Sequence, residues 1–359
     1  LEANPDDLTP EYISMLRTFP FNRISMGIQT FQDSTLKLLQ RRHTAEQAIR
    51  AFQNCRTAGF RNISIDLMYG LPGETLASWK EDLKQALALH PEHISAYHLI
   101  YEEGTTLWQL REQHKLEEAD EDLSVSLFGT LIDSLTAAGY EHYEISNFCL
   151  PGFHSRHNSS YWTEKKYLGC GPSAHSYNGT SRQWNVASLN EYIRGISNGN
   201  PTFEVEELDL YTRYNDFVIT HIRTQWGMPL PKLRKQYGEE LYKYCLRMAT
   251  PHLQQGTLEI KNDTLKLTRK GIFISDGIMS DMLWVESVSY THLRAHENMK
   301  SDYNYKVNAD HVPTDEEYGS TFGKDRLGCH KRLQNGYRTY CYAQAVREHT
   351  GWQYCPKRT

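Results

Sequence analysis

The first 150 residues alternate short apolar runs with longer helical segments, and this alternation limits the fold more than any other feature. Several successive units of this kind are typical of parallel βα architecture, in which helices cover a sheet. The strand candidates are Arg23 to Gln29, Asn62 to Gly70, His93 to Ile100 and His142 to Phe148. We therefore expect an α/β fold built as a full or partial barrel.

Helix boundaries between these strands are marked by residues that cap helix ends. Side chains of this type accept a hydrogen bond from the first exposed backbone amides of a helix, and a glycine tolerates the left-handed conformation that ends one. The predicted helix starts follow Thr9, Thr44, Thr75 and Asp120, and predicted ends precede Gly59 and Gly139.

Polar residues lie where barrel strands would carry a site, because working residues of such folds collect at the carboxyl ends of strands. Gln29 and Asp66 fall on the strand face opposite the apolar set, and Glu2 joins them from the first strand. Each residue alone could equally cap a helix or bond a loop backbone. Their convergence favours a binding site.

The character of the chain changes after about residue 205. Two amphipathic helices, Asp209 to Thr224 and Pro231 to Gln254, precede two short apolar runs that are joined by a turn at Lys261 to Asp263. This order predicts a small winged-helix-like domain. We assign residues 1–204 to the barrel and the segment after it, 205–286 to the winged domain, and 287–359 to a non-native or disordered tail.

We make a separate prediction for each end of the sequence. Leu1 reads as the tail of a strand, so the chain is expected to begin inside an element and to lack its first strands. Residues 287–359 carry few aliphatic residues and no sustained periodicity, and their start resembles translated vector sequence.

Charge and cysteine content exclude several classes of protein. A net charge of -5 argues against a nucleic-acid surface, which usually carries a basic excess. We find no apolar run long enough to span a bilayer and no secretion signal, so the cytoplasm is the expected compartment. The 7 cysteines are scattered, which fits reduced thiols rather than a disulfide framework.

Six ordered motifs carry a resemblance to a known family. They are Leu1 to Pro5, Arg23 to Phe31, Ile65 to Gly73, Glu144 to Phe148, His157 to Trp162, and Tyr167 to Ser176. Together they resemble the oxygen-independent coproporphyrinogen III oxidase-like radical SAM family, and the His157-Asn-x-x-Tyr-Trp motif is most similar to its heme chaperone (HemW) branch. The resemblance extends from residue 1 to about residue 286.

The resemblance implies a partial TIM-like barrel that binds S-adenosylmethionine (SAM) beside a 4Fe-4S cluster. The implied SAM positions are Glu2, Gln29, Arg41, Asp66, Ile100 and His175. The implied heme positions are His157, Asn158, Tyr161 and Trp162, where histidine would be the iron ligand and tryptophan a flat apolar surface. The family's C-x-x-x-C-x-x-C cluster motif and its G-G-G-T-P motif are both missing from this sequence.

Three functions stay open at this point. The leading one is a heme chaperone that also binds SAM and a 4Fe-4S cluster when full length. The others are oxidative decarboxylation of coproporphyrinogen III and an inactive truncated fragment, and we expect this stretch alone to be inactive as an enzyme. Expected partners are heme or a porphyrin and a heme-acceptor protein, without nucleic acid, while a homodimer is left open.

Overall fold

β-branched and apolar residues alternate with small or polar ones in the strands of the first half, and this pattern suits a sheet covered on one face by helices. The computed structural model describes residues 1–285. Its strands are β1 (Glu2–Ala3), β2 (Ile24–Gln29), β3 (Ile63–Tyr69), β4 (His93–His98), β5 (Glu141–Glu144), β6 (Asn147–Cys149), β7 (His175–Tyr177), β8 (Ser181–Asn185), β9 (Phe203–Glu207), β10 (Met228–Pro229), β11 (Leu258–Lys261) and β12 (Thr264–Leu267).

Twelve α-helices connect these strands within the described residues. They are α1 (Pro10–Leu16), α2 (Asp33–Leu38), α3 (Ala45–Thr57), α4 (Leu76–Ala88), α5 (Thr106–Glu112), α6 (Glu121–Ala137), α7 (Arg156–Trp162), α8 (Leu189–Ser197), α9 (Leu210–Ile222), α10 (Leu230–Gln254), α11 (Arg269–Ile272) and α12 (Ser275–Met282). None that the structure describes combines the length and apolarity needed to cross a membrane.

The main sheet has six strands in the order β1-β2-β3-β4-β6-β5. Neighbouring strands from β1 to β4 are parallel, which confirms the predicted α/β class and the partial radical SAM-type barrel. The prediction of one strand from His142 to Phe148 is wrong. That segment forms the β5–β6 hairpin, with β6 antiparallel to β4, because the Glu144 carboxylate accepts the backbone amide of Ser146 and closes a tight turn.

The predicted helix starts are confirmed at all four capping residues. Thr9 and Asp120 each accept a backbone amide from the first turn of their helix. Thr44 and Thr75 form reciprocal capping boxes, in which the third helical residue bonds back to the cap.

The core lies between the sheet and its helices. Ile24, Met26 and Ile28 of β2 are fully buried, as are Ile63 and the other apolar residues of β3 on the same face. Each such side chain contributes about 1.5–3 kcal/mol relative to an exposed one. Burial of this face directs the alternate residues of the strands to the opposite face, where the polar groups collect.

The described residues divide into two compact units. The first comprises Leu1–Lys165, Ile219–Leu233 and Thr250–Ser275, and the second comprises Lys166–Val218, Arg234–Ala249 and the described residues from Asp276. These units follow spatial packing rather than chain order, so the predicted division between residues 204 and 205 stays a prediction. The predicted tail at 287–359 lies outside the described residues.

The second unit has its own sheet, in the order β7-β8-β9. An ion pair joins the buried Arg182 of β8 to the half-buried Asp216 of α9. The Tyr214 hydroxyl donates to the carbonyl of Met282 at 3.0 Å, which ties α9 to α12 within this unit.

The winged-helix-like prediction for the C-terminal region is confirmed by its element order. α9 and α10 are followed by the β11–β12 hairpin, and β12 also pairs with β10. Asn262 and Asp263 both have positive φ angles, 50° and 56°, as the two central residues of a tight hairpin turn require. The predicted turn at Lys261 to Asp263 is therefore correct.

Candidate ligand sites

A row of polar residues crosses the face of the main sheet opposite the helices. Cross-strand pairing aligns Gly27, Asp66, Ser95, Asn147 and Glu144 on β2, β3, β4, β6 and β5. Residues aligned in this way point to one face of a sheet, so the row forms a continuous polar surface. Ser95, Asn147 and Glu144 were absent from the predicted SAM site.

Asp66 is the most perturbed acid of this row. It is only 8% exposed, and burial together with the nearby Glu2 carboxylate raises its pKa to about 7. The Ser25 hydroxyl donates to it at 3.3 Å, and Ser95 adds a second hydrogen bond. Asp66 therefore acts neither as a helix cap nor as a loop anchor.

Glu2 shares this environment. Burial raises its pKa, and the nearby His157 acts in the opposite sense. Two carboxyl groups in one poorly solvated region repel each other when both are ionised, so a cationic ligand group would stabilise the pair. The structure thus brings Glu2 and Asp66 into one region, and their role in a SAM site stays a prediction.

Gln29 and Arg41 meet over Gly27. A side-chain carbon on Gly27 would lie 2.9 Å from Gln29 Nε2 and 3.3 Å from Arg41 Nη2, so the glycine leaves the space that both groups occupy. Arg41 Nη2 donates to the Gly27 carbonyl at 2.9 Å and to Asn4 at 2.7 Å. Gln29 adopts a left-handed φ of 71°, which is uncommon for a residue other than glycine and often marks a functional site.

The adjacent Arg42 behaves differently. It forms exposed ion pairs with Asp6 and Asp7, which contribute little stability. Of the two arginines, the structure places Arg41 alone against the polar row.

The other two predicted SAM residues, Ile100 and His175, are on other elements. Ile100 follows β4 and is half-buried. His175 begins β7 of the second unit, where its ring stacks on Trp184 with centroids 5.9 Å apart. Their contribution to a SAM site stays a prediction.

The His157 motif forms the short helix α7, which Ser155 caps by accepting the amide of Asn158 at 3.3 Å. His157 and Tyr161 are four residues apart and therefore share one helix face. The Tyr161 hydroxyl lies 3.1 Å from His157 Nε2, and the rings meet edge to face at 5.1 Å. His157 is exposed, so an imidazole nitrogen is accessible from solvent.

Trp162 occupies a different environment from the rest of the motif. It is only 5% exposed, and the Arg223 guanidinium lies 4.5 Å from its ring centroid. Arg223 Nε donates to Glu144 at 2.6 Å, and Glu144 also accepts from Asn147, whose amide oxygen accepts from Ser95 at 3.1 Å. A buried chain of polar contacts therefore runs from Asp66 to Trp162.

The residues of this series of buried contacts differ in whether the sequence could have identified them as site residues. Glu144 and Asn147 belong to one of the six motifs, so that motif could have pointed to them. Arg223 lies 79 residues from Glu144, and no local signal marks it.

The four cysteines that the structure describes do not fit a cubane cluster. Cys55, Cys149 and Cys245 are buried on separate elements, and Cys170 is exposed, all as free thiols. A cubane cluster needs several thiolates grouped around one set of irons, and each of these four cysteines lies on a different segment of the chain.

Comparison with family models identifies two regions. Residues 1–86 match the model of the radical SAM superfamily, and residues 208–274 match that of the HemN C-terminal domain. The second match coincides with the winged-helix-like segment.

Individual relatives cover most of the chain. The heme chaperone HemW of Bacillus subtilis (strain 168) is 31% identical over 284 residues, which are 79% of this chain and 75% of that protein. Its counterpart from Lactococcus lactis is 32% identical over 283 residues, covering 79% and 74%. The structure of coproporphyrinogen III oxidase (HemN) from Escherichia coli aligns with a TM-score of 0.65 at 21% identity, covering 78% of this chain and 68% of that chain. That likeness shows the shared fold.

Proposed function

Because this chain belongs to the HemW family of heme chaperones within the radical SAM superfamily, we propose that it binds heme at α7 and SAM at the polar row. The observation that carries the heme proposal is the exposed His157 imidazole beside the Tyr161 hydroxyl. Heme supplies an iron centre that takes axial nitrogen or oxygen ligands.

His157 would be the better donor of the two to the heme iron. A neutral imidazole presents a nitrogen lone pair, whereas a phenol must first lose its proton. Burial, followed by the Glu2 carboxylate, raises the pKa of Tyr161, which disfavours the phenolate. Tyr161 therefore orients the imidazole through its hydroxyl, and Asn158 holds the first turn of α7 through the Ser155 cap.

The contact between Arg223 and Trp162, the last residue of α7, supports this helix. The guanidinium on the indole face fixes the end of α7, and Trp162 is only 5% exposed, so it would position His157 from within the protein rather than contact a macrocycle. We propose that heme rests on the exposed face of α7 and is passed on to an acceptor protein.

The polar row suits SAM for reasons of charge. The Arg41 guanidinium can hold the methionine carboxylate, and Gln29 can bond polar groups of the ligand. The positive charge of SAM would relieve the repulsion between Glu2 and Asp66, whose pKa values are both raised. A 4Fe-4S cluster, for which this sequence lacks the C-x-x-x-C-x-x-C motif, would supply reductive cleavage of SAM.

Separate titrations of heme and SAM test the proposal. Replacing His157 with Ala should weaken heme binding by more than about tenfold, because loss of even an outer-shell partner costs that much at many metal sites. The matched control, Asn158→Ala, should retain most of the affinity. Absorbance of bound heme and calorimetry with SAM are the measurements.

The two ligands should respond to different variants. Asp66→Asn should weaken SAM and leave heme unchanged, while His157→Ala should do the reverse. Equal heme affinity in His157→Ala and the parent would contradict the heme assignment. Formation of protoporphyrinogen by a full-length protein would instead favour the decarboxylase function.

A further inference from the structure

Three potential metal ligands converge beside the β5–β6 hairpin, in the first unit. Glu141 and Cys149 are direct cross-strand partners, and His154 follows five residues after Cys149. One donor atom from each lies within 4.8 Å of the other two, and His154 Nε2 is 2.9 Å from a Glu141 carboxylate oxygen. None of the three is among the residues proposed for heme or SAM.

The imidazole of His154 is held in place by its surroundings. The loop that carries it turns at Gly152, where φ is 85°. The Tyr143 ring meets the imidazole edge to face at 4.8 Å, and the Trp226 ring lies 5.5 Å away. Side chains fixed by packing in this way lose little freedom when they bind an ion.

Gln225 lies beside the same imidazole nitrogen. His154 Nε2 is 2.9 Å from a Glu141 carboxylate oxygen and 3.4 Å from Gln225 Nε2. Rotation of the Gln225 amide would bring its oxygen to this position, so Gln225 offers a further donor beside the three ligands.

The Cys149 thiol contributes the softest donor. Burial, followed by Glu141, raises its pKa to about 12, while Arg23 and the Phe153 backbone amide act in the opposite sense. A divalent cation displaces the thiol proton and offsets the repulsion from Glu141.

We propose that Glu141, Cys149 and His154 bind a divalent cation of the zinc type, with a fourth position for water or Gln225. The mixture of sulfur, nitrogen and oxygen donors suits zinc, which binds all three in tetrahedral geometry. His154 directly precedes Ser155, the cap of α7, so the ion would tie the hairpin to the start of the helix that carries His157.

Cobalt(II) titration tests the site, since cobalt replaces zinc and reports sulfur ligation through a charge-transfer band. The full chain is used with Cys329, Cys341 and Cys355 changed to Ser, which removes the thiols outside the described residues. We expect one ion per chain, a sulfur-to-cobalt band and the visible spectrum of a tetrahedral site. Zinc should displace the cobalt and raise the melting temperature.

Two variants and a control decide the outcome. Cys149→Ser should abolish the charge-transfer band and weaken binding by more than about tenfold, and the exposed-cysteine control Cys170→Ser should change neither. His154→Gln, at a partly exposed position, should weaken binding to a similar extent with an unchanged circular dichroism spectrum. If Cys149→Ser fails to fold, His154→Gln decides. Undiminished affinity in His154→Gln, or a parent spectrum identical to aqueous cobalt, overturns the proposal.

Discussion

The Arg223 guanidinium lies 4.5 Å from the centroid of the Trp162 ring, so the last residue of α7 rests on a cation supplied from a distant part of the chain. The same guanidinium is bound by Glu144 of β5. The helix that carries His157 is thereby linked to the polar row that carries Asp66. Both proposed sites share this support.

Replacing Arg223 with Ala should destabilise the protein by about 3–5 kcal/mol, because it leaves the Glu144 carboxylate buried without its partner. Arg223 and Glu144 are 6% and 1% exposed, so water cannot replace the lost contact. The measurement is urea unfolding. Arg269→Ala, which breaks an exposed pair with Asp133, is the control and should cost at most about 1 kcal/mol. Similar losses in the two variants would contradict the role given to the buried pair.

Asp66→Asn should stabilise the protein at pH 8 and have little effect at pH 5. The pKa of Asp66 is raised to about 7, so the folded state binds a proton that the unfolded state has released. The stability contributed by this proton is complete below about pH 4 and is lost as pH rises through 7. The asparagine side chain has nearly the same shape as that of aspartate but cannot ionise.

Unfolding midpoints of parent and variant at both pH values provide the measurement for Asp66. The buried His93 and the half-buried His142 have lowered pKa values and act in the opposite sense, so only the difference between the two proteins isolates Asp66. Exposed Asp133→Asn is the matched control. A constant difference between pH 5 and pH 8 would show that Asp66 is ionised throughout.

Gly27→Ala should weaken SAM binding and spare heme binding. The added carbon would lie 2.9 Å from Gln29 Nε2 and 3.3 Å from Arg41 Nη2, so both side chains must move. Calorimetric titration with SAM measures the effect. Gly129→Ala on α6, where the nearest atom would be 3.8 Å away, should leave both affinities unchanged. Unchanged SAM affinity in Gly27→Ala would show that Gln29 and Arg41 do not contribute to SAM binding.

Tyr161→Phe should reduce heme affinity less than His157→Ala does. The hydroxyl orients the imidazole by a 3.1 Å hydrogen bond, and its loss leaves the nitrogen donor intact. Absorbance titration with heme separates the two variants. A greater loss of heme affinity in Tyr161→Phe than in His157→Ala would indicate that the phenolate is the iron ligand, as it is in some heme proteins.

Local interactions made much of the fold predictable from sequence. Thr44 and Thr75 cap their helices by bonds to residues three positions away, and the Asn262–Asp263 turn depends on two adjacent backbone conformations. The alternation around Asp66 likewise assigned it to the polar face, because successive side chains of a strand point to opposite sides.

Tertiary structure decided what surrounds those residues. The Glu144–Arg223 pair and the proximity of Glu2 to His157 join positions far apart in the chain, and no spacing rule encodes them. The antiparallel course of β6 was missed because the seven residues from His142 to Phe148 alternate polar and apolar types in a way that fits one strand as well as a hairpin. Burial then set the pKa of Asp66, since desolvation depends on every neighbour that excludes water rather than on the residue itself.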